Sequence, residues 1–353
     1  MKILWVGAKY MAGTPESGHS YEHTNFYETL TRMDGGNHEV DHFDFDVKGR
    51  ELGAAALGSA FLDLVAARQP DLVFAMLFHE ELPEALWSAL KARPGAPVLV
   101  NWFADDQWRF GSYTRRYARH FDLAVTTDPL SLPLYRAAGQ PRALLSQWGV
   151  NHYAYAPQPG TMEHELSFVG QAHGSRRASI AALAQQGCKV ECWGKGWEQG
   201  ALSHDAMQRV YSRSKINLNL ANAANHFSLT SLAKCFVGRG PRLRPLAEMK
   251  DRLLSLLAPR REQVKGRHFE IPACGGFQMS SAVEGLEACL AEGKEVVSFT
   301  DAIDFAQKAA YYLAHEEERR SIARAGMERT LREHTYEQRF KAIFQAALGP
   351  GRS

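Results

Sequence analysis

Short apolar runs rich in β-branched residues alternate along the first half of the chain with stretches of helical period, such as Ala54–Ala67 and Pro83–Lys91. This alternation is typical of a mostly parallel sheet with helices on both faces, in which ligands gather at the carboxyl ends of the strands. The predicted strands are Ile3–Val6, Glu39–Phe45, Leu72–Met76, Val98–Asn101, Leu123–Thr126 and Ala143–Ser146.

A second α/β series follows the aperiodic run from Val150 to Gly160, whose two prolines are typical of a linker. We expect the tail Ala302–Leu348 to be helical, with breaks near Gly326 and His334. The other predicted elements are the strands Leu166–Val169, Lys189–Trp193, Lys215–Leu220, Phe277–Ser280 and Glu295–Phe299, and the helices Ser175–Gln185 and Asp205–Ser212.

Two α/β halves of similar size predict two Rossmann-like domains that face each other across a cleft, with C-terminal helices closing the second domain. We place the first domain at residues 1–157 and the second at 158–333, the latter with a basic insertion at 222–264. Residues 334–353 form a final helix that we expect to pack back on the first domain.

The segment 234–267 is locally basic, with ten Lys or Arg against three Asp or Glu. Its leucines fall on one helical face. A basic amphipathic helix can lie on an anionic membrane surface, and the alternative is a helix that packs its leucines on its own domain.

Composition excludes several classes of protein. The 353 residues are 45% hydrophobic and 23% charged, an ordinary globular balance, and the net charge of +2 gives no general attraction to nucleic acid. No apolar run approaches the ~20 residues of a membrane span. The five cysteines form no CxxC pair, which suits a reducing compartment. We therefore expect a cytoplasmic enzyme, with the inner membrane face as a further location.

Motifs of several nucleotide and metal enzymes are missing from the chain. There is no GxGxxG after the first strand, no GxxxxGK[ST], and neither HExxH nor a Cys/His metal spacing, which disfavours dinucleotide oxidoreductases, P-loop kinases and zinc sites. Asp44-Phe45-Asp46 is a D-x-D sequence, but acidic residues at this strand end are common in Rossmann sheets. We predict neither a bound metal nor a cofactor.

Two constellations in the second half suit a nucleotide diphosphate. A strand, a glycine loop and a helix start follow one another through Gly170, Gln171, His173 and Arg176, and the exposed amides of a helix start suit phosphate oxygens.

The second constellation holds two glutamates eight residues apart, whose spacing also arises by chance in a charged helix. A carboxylate can grip both ribose hydroxyls, while cations neutralise the phosphates. The residues concerned are Glu262, Lys265, Arg267, Glu270 and Gly275.

A third constellation, from Asn101 to Phe110, ends the fourth strand with the adjacent carboxylates Asp105 and Asp106 among aromatic residues. Aromatic faces and carboxylates together suit a sugar. The alternative is an Asp helix cap beside buried tryptophans.

These segments, in this order, resemble the CgeB-like (spore-maturation-protein-like) glycosyltransferases of GT-B fold. The resemblance covers nearly the whole chain. It rests on the segments Lys2–Gly7, Ser20–Tyr27, Asn101–Phe110, Ser167–Gln171, Lys215–Asn219, Lys265–Glu270, Gly293–Val297 and His334–Arg339.

The resemblance implies donor binding in the second half and acceptor binding in the first. Retaining GT-B enzymes carry an E-x7-E motif whose second glutamate holds the ribose, and Glu270 matches it; Glu262 matches the first glutamate by spacing only. The cations around the diphosphate correspond to Arg176 and either Lys265 or Arg267. The basic insertion departs from the usual short loop there.

The sequence thus predicts transfer of a sugar from a nucleotide diphosphate sugar to a hydroxyl of a glycan, lipid-linked or small-molecule acceptor, without metal and with retention. An inverting reaction would need a general base, for which Asp105, Asp106, His19 and Glu22 are the candidates. Two alternatives stay open: a nucleotide-sugar epimerase of the same fold, and a non-catalytic sugar-binding protein of an envelope or spore layer.

Overall fold

A computed structural model describes residues 1–78, 80–221 and 262–349, together with the single helical positions Leu232, Met249 and Leu253. Most of the predicted insertion 222–264 and of the basic segment 234–267 lies outside these residues. None of the described helices is both long and apolar enough to cross a bilayer.

The described residues divide into two compact units. Residues 1–147 and 336–349 form the first, and residues 148–221 and 262–335 form the second. The boundary therefore lies before the predicted residue 157. The segment after Trp148 belongs to the second unit because its backbone bonds there: Val150 N–H donates to the His334 carbonyl at 3.0 Å and Ala156 N–H to Gln208 Oε1 at 3.0 Å.

The first unit contains a six-stranded, wholly parallel sheet, as predicted, in the order β2-β1-β3-β4-β5-β6. Its fourth strand is longer than predicted, because Trp102 and Phe103 are buried and pair with the fifth strand. The strands are β1 Lys2–Val6, β2 Glu39–Phe43, β3 Leu72–Ala75, β4 Val98–Phe103, β5 Leu123–Thr126 and β6 Ala143–Leu145.

Helices cover this sheet and bury large aromatic side chains such as Phe61 and Trp87 against it. A π-helical turn at His23–Tyr27 precedes the first α-helix. The helices are α1 Glu28–Arg32, α2 Phe45–Leu52, α3 Ala54–Arg68, α4 Glu84–Lys91, α5 Asp106–Arg109, α6 Arg115–Tyr117 and α7 Leu132–Ala137.

The second unit contains a five-stranded parallel sheet in the order β11-β10-β9-β7-β8. Its strands are β7 His164–Val169, β8 Glu191–Trp193, β9 Ser214–Asn219, β10 Gln278–Ser281 and β11 Val297–Phe299. Its helices are α8 Arg176–Gln185, α9 His204–Arg213, α10 Arg267–Ala273, α11 Ala302–Ala314 and α12 Glu316–Glu333. As predicted, C-terminal helices close this unit, since Phe305, Tyr312 and Ile322 belong to its core.

Both sheets share the strand order 2-1-3-4-5 when each is counted from its own first strand. In such a sheet the chain reverses direction between its first and third strands, and ligands bind beside the carboxyl ends of those two strands. The points of reversal are β1/β3 in the first unit and β7/β9 in the second.

The last helix, α13 (Tyr336–Leu348), packs on the first sheet. Its buried residues recur at helical spacing, and the Phe340 ring lies 5.2 Å from Phe26 and 5.3 Å from Phe74. The Tyr336 hydroxyl shares a 2.7 Å hydrogen bond with that of Tyr21. The first unit therefore includes chain from both ends of the sequence.

The predicted helix break at Gly326 is wrong, although the break at His334 is confirmed. Helix α12 runs through Gly326, and the chain breaks earlier, at His315. Gly326 allows a close approach: a Cβ there would lie 2.5 Å from the carbonyl oxygen of Glu295.

We expect Gly326→Ala to lower the free energy of unfolding by about 1–3 kcal/mol, because the methyl group meets rigid backbone. If Gly326 were only a weak helix residue, alanine would instead stabilise by about 1 kcal/mol. The matched control is Gly58→Ala in α3, where the new Cβ would meet the movable Leu86 Cδ1 at 3.0 Å. Urea unfolding of both variants shows whether alanine at position 326 lowers or raises the free energy of unfolding.

Candidate functional site

Glycines bring the loops after β7 and β8 together at the carboxyl edge of the second sheet. Gly170 N–H donates to the Trp193 carbonyl at 2.8 Å, and Trp197 Nε1 donates to the Gly170 carbonyl at 2.8 Å. A Cβ at Gly194, which has a φ of +130°, would lie 2.3 Å from the Gly170 oxygen. Only glycine permits this approach, so the loop after β7 is held in one conformation.

Two guanidinium groups converge on the ends of β7 and β9. Arg176 Nη1 donates to the Gln171 carbonyl at 3.0 Å, and Arg267 Nη1 donates to the Val169 carbonyl at 2.7 Å. Both arginines donate through Nη2 to the Leu220 carbonyl at 3.2 Å. The point of reversal of this sheet therefore carries two adjacent cations.

The same aromatic ring supports both arginines. The Phe168 ring centroid lies 5.5 Å from Arg176 Cζ and 5.4 Å from Arg267 Cζ. Because Phe168 is fully buried in β7, the ring is a rigid platform for the pair.

The charge of this pair is not balanced locally. Within the described ranges, no carboxylate lies within 4.0 Å of either guanidinium, and Arg176 Nε is buried without a hydrogen-bond partner. Burial, and then the charge of Arg267, lowers the pKa of Arg176 to about 9. Two like charges held together by carbonyl dipoles have the chemistry to bind an anion, such as a diphosphate.

Gly170 leaves room for this pair. A Cβ at Gly170 would lie 2.4 Å from Arg267 Nη1 and 3.3 Å from Arg176 Nη1. The chain therefore has glycine here because two side chains fill the space beside it.

The remaining predicted residues of this loop surround Arg176. His173 Nε2 lies 3.1 Å from Arg176 Nη1 and must accept the hydrogen bond, since a guanidinium only donates. Gln171 contributes its carbonyl, and its side chain is exposed. Helix α8 begins at Arg176 without a side-chain cap, so its first amides add donors beside the two cations.

Helix α10 places Glu270 one turn after Arg267. Glu270 is buried, and burial, followed by the charge of Glu270, raises the pKa values of Tyr211 and Cys274, so its carboxyl group lies near both. The helix ends at Ala273, and Gly275, two residues later, has a φ of +76° and donates to the Pro272 carbonyl at 2.8 Å. Gly275 thus has a structural role just after the end of the helix.

Glu262 lies at the carboxyl end of β10, where Ser281 Oγ donates to its Oε2 at 3.1 Å. Burial raises the pKa of Glu262. Lys265 is half-buried, and its Nζ donates to Gln263 Oε1 at 3.3 Å. Of the two cations proposed to complete the pair with Arg176, the structure places Arg267 beside it.

A histidine that sequence reasoning missed fixes the start of α10. His268 Nδ1 lies 2.9 Å from the Lys265 amide nitrogen and 3.1 Å from the Lys265 carbonyl oxygen, and Nε2 lies 3.0 Å from Ser280 Oγ, so the ring can bridge these groups in either tautomer. Burial lowers the pKa of His268 to about 3, so the ring stays neutral. This bridge from α10 to β10 holds the helix that carries Arg267 and Glu270, and nothing in the charged segment around His268 signals it in the sequence.

In the first unit, Asp106 lies inside the fold, where hydroxyl groups bind it. Its carboxylate is buried and accepts hydrogen bonds of 2.6 Å from three hydroxyls, those of Thr114, Thr126 and Tyr135. The group joins α5 to the elements around it and has a structural role. Asp105 is half-buried at the end of β4, in the left-handed region with a φ of 60°, a conformation that is uncommon outside glycine and occurs often at functional sites.

His19 and Glu22 follow β1 of the same sheet. His19 is exposed, with its ring 4.1 Å from that of His23, and burial raises the pKa of Glu22. Burial and the neighbouring histidines lower the pKa of His23 to about 4. Ligand atoms of His19, His23 and Glu28 all lie within 4.8 Å of one another, a spacing in which a metal ion could be held.

The comparisons with known proteins come from sequence and from structure. Residues 237–345 match the sequence family described as "Glycosyl transferase-like". No curated protein sequence is significantly similar to this chain.

Three solved structures illustrate the similarity in fold. Sucrose-phosphate synthase from Thermosynechococcus elongatus has a TM-score of 0.62 at 13% identity, covering 98% of this chain and 99% of that chain. Anabaena Alr3699/HepE in complex with UDP-glucose has a TM-score of 0.54 at 12% identity, with coverages of 98% and 99%. The lipopolysaccharide outer core galactosyltransferase WaaB has a TM-score of 0.53 at 13% identity, with 99% of both chains covered.

The fold is that of the GT-B class, with two parallel-sheet α/β units. Within that class, the chain is similar to glycosyltransferases both by its partial family match and by these neighbours.

The buried carboxyl group of Asp106 makes a testable contribution to the pH dependence of stability. Burial raises its pKa from 3.8 to about 6. Between these values the folded chain holds a proton that the unfolded chain has lost, so the free energy of unfolding falls as the pH rises through this range. The loss amounts to ~3 kcal/mol at most.

We therefore expect the stability difference between wild type and Asp106→Asn to shift in favour of the variant from pH 4 to pH 6, and to be constant above about pH 7. Urea unfolding at a series of pH values measures it. If the free energies of unfolding of the two proteins changed in parallel with pH, Asp106 would be ionised in the folded protein over the whole pH range measured.

Proposed function

We propose that this protein is a glycosyltransferase that moves a sugar from a nucleotide diphosphate sugar to a hydroxyl acceptor, without a bound metal and with retention of configuration. We assign it to the CgeB-like group on the ordered motifs of its sequence. The observation that carries the proposal is the unbalanced pair of guanidinium groups, Arg176 and Arg267, at the β7/β9 point of reversal.

The chemistry of the proposed reaction explains why two cations are needed. Cleavage of the sugar–phosphate bond leaves negative charge on the departing diphosphate. Preorganised guanidinium groups and helix amides stabilise that charge, which a divalent metal does in other transferases. Because the guanidinium groups are already fixed by carbonyls and by Phe168, little reorganisation is needed when the charge develops.

Glu270 is the proposed ribose ligand, one helical turn after Arg267. Glu262, at the end of β10, completes the E-x7-E motif on which retention is proposed. The structure of HepE with UDP-glucose makes UDP the first nucleotide to test.

The acceptor is proposed to bind the first unit, where Asp105, His19 and Glu22 follow strands at the carboxyl edge of the sheet. It offers a hydroxyl of a glycan, a lipid-linked sugar or a small molecule. We place the enzyme in the cytoplasm, with the basic segment 234–267 as its proposed contact with the membrane face.

Removing one cation tests the donor site. We expect Arg176→Gln to weaken UDP binding by roughly 10–100-fold, the value of one or two charge-assisted hydrogen bonds. Arg177→Gln is the matched control, since the next residue of the same helix is exposed and stacks on Trp197 at 5.2 Å. Calorimetric titration with UDP, with thermal unfolding as a fold check, measures both. Equal UDP affinities of the two folded variants would contradict the proposal.

Gly170→Ala separates binding from folding. The new Cβ would displace Arg267 Nη1 and would lie 3.0 Å from Phe168 Cζ, so we expect a loss of stability of about 1–3 kcal/mol that leaves the protein folded. UDP affinity should fall by at least about tenfold, because a charge-assisted contact is lost. A variant that unfolds earlier but binds UDP normally would show that Gly170 serves the fold alone.

A further inference from the structure

Arg109 has no role in the proposed reaction so far. It ends helix α5, directly after β4, and it packs on Phe78, which follows β3. Strands β3 and β4 are neighbours in the first sheet. Arg109 therefore lies at the carboxyl edge of that sheet, where ligands of parallel sheets bind.

Three aromatic rings surround this guanidinium. Its Cζ lies 5.5 Å from the Phe78 centroid, 5.6 Å from Trp108 and 4.9 Å from Tyr113. Rings attract a guanidinium electrostatically, but they accept no strong hydrogen bonds from its five in-plane N–H donors. The rings can thus fix the position of the group while its donors stay available.

The donors of Arg109 have no partner in the described part of the chain. The side chain is only 5% exposed, yet no carboxylate there lies within 4.0 Å and no acceptor takes a hydrogen bond from the guanidinium. Burial raises the pKa of Asp106, and the charge of Arg109 offsets only part of that rise. The Asp106 oxygens, however, already accept three hydroxyls, so that carboxylate is committed elsewhere.

A second polar group in the same cluster is also unsatisfied. The Tyr113 hydroxyl is buried without a hydrogen-bond partner among the described residues. A buried phenol without a partner costs free energy, and native structures rarely keep such a group unless a ligand meets it; the guanidinium beside it is 5% exposed, so a ligand at this point can reach its donors. That they share one cluster indicates one ligand.

We propose that Arg109, together with the Tyr113 hydroxyl, binds an anionic group of the sugar acceptor, either a carboxylate or a phosphate. The planar fork of a guanidinium matches both anions through paired hydrogen bonds, and a phenol adds one more donor. This inference rests on the proposed glycosyltransferase function and names its acceptor as acidic: a uronic acid or a phosphorylated sugar. A neutral sugar would leave the arginine unsatisfied.

The test uses the full chain with saturating UDP, so that the donor site cannot account for anion binding. Thermal unfolding is followed with inorganic phosphate and with acetate, each against chloride of the same ionic strength. Wild type is compared with Arg109→Met, which keeps a side chain of similar length against the three rings, and with Arg109→Lys, which keeps the charge without the fork.

We expect one anion to raise the melting temperature of wild type above its chloride control. Arg109→Met should abolish that shift, and Arg109→Lys should weaken anion binding by about tenfold, since only one contact remains. In chloride alone, Arg109→Met should melt no lower than wild type, because it removes a buried charge without a partner. A response to phosphate assigns a phosphorylated acceptor, and a response to acetate assigns a carboxylate.

Two results would overturn the inference. One is the absence of any shift beyond chloride with either anion. The other is an unchanged shift in Arg109→Met, which would place the anion elsewhere. A lower melting temperature of Arg109→Met in chloride, with no anion response in wild type, would assign Arg109 a purely structural role among its rings.

Failure of the proposed function remains distinguishable from failure of this inference. If UDP does not bind, the donor assignment fails, and anion binding at Arg109 is then measured in the Arg176→Gln background. If UDP binds and no anion responds through Arg109, only the acidic acceptor is wrong.

Discussion

The second unit depends on how two like charges are held side by side. Arg176 and Arg267 repel each other, and burial adds a cost that appears as the lowered pKa of Arg176. Carbonyls at the ends of β7 and β9 offset part of that cost, as does the Phe168 ring beneath both groups. In the function proposed above, a bound anion balances the rest of that cost, and the arrangement gives up stability for ligand binding.

This arrangement determines the residues around it. Gly170 has no side chain because Arg267 fills the space, and Gly194 has none because the loops meet there. The neutral His268 joins α10 to β10 and so fixes the helix that carries Arg267 and Glu270. Each of these residues acts through the position of a guanidinium group.

The strands of the two sheets were well predicted because the sequence signal of a buried strand is local, although strand pairing is not. Buried parallel strands appear as short β-branched runs, and those runs lie within a few residues of the observed strands. The prediction for Gly326 was wrong for the opposite reason. Whether a glycine ends a helix or allows another segment to approach depends on a residue distant in sequence, here Glu295.

Side-chain roles were harder to predict. Asp105 and Asp106 are adjacent and chemically alike in sequence, yet three hydroxyls from elsewhere in the chain bury Asp106, and Asp105 is left half-exposed. Arg109 looked like an ordinary helix residue, because only the fold brings Phe78 and Tyr113 to it. The proximity of Arg176 and Arg267 likewise depends on the parallel pairing of β7 with β9, which the sequence does not show.

The most direct test of the central claim compares the binding of UDP and of uridine to the wild-type protein in the presence of EDTA. If the arginine pair binds the diphosphate without metal, UDP should bind at least about a hundredfold more tightly than uridine, a difference of roughly 3 kcal/mol. Equal affinities, or UDP binding that appears only when Mg²⁺ is added, would contradict the account.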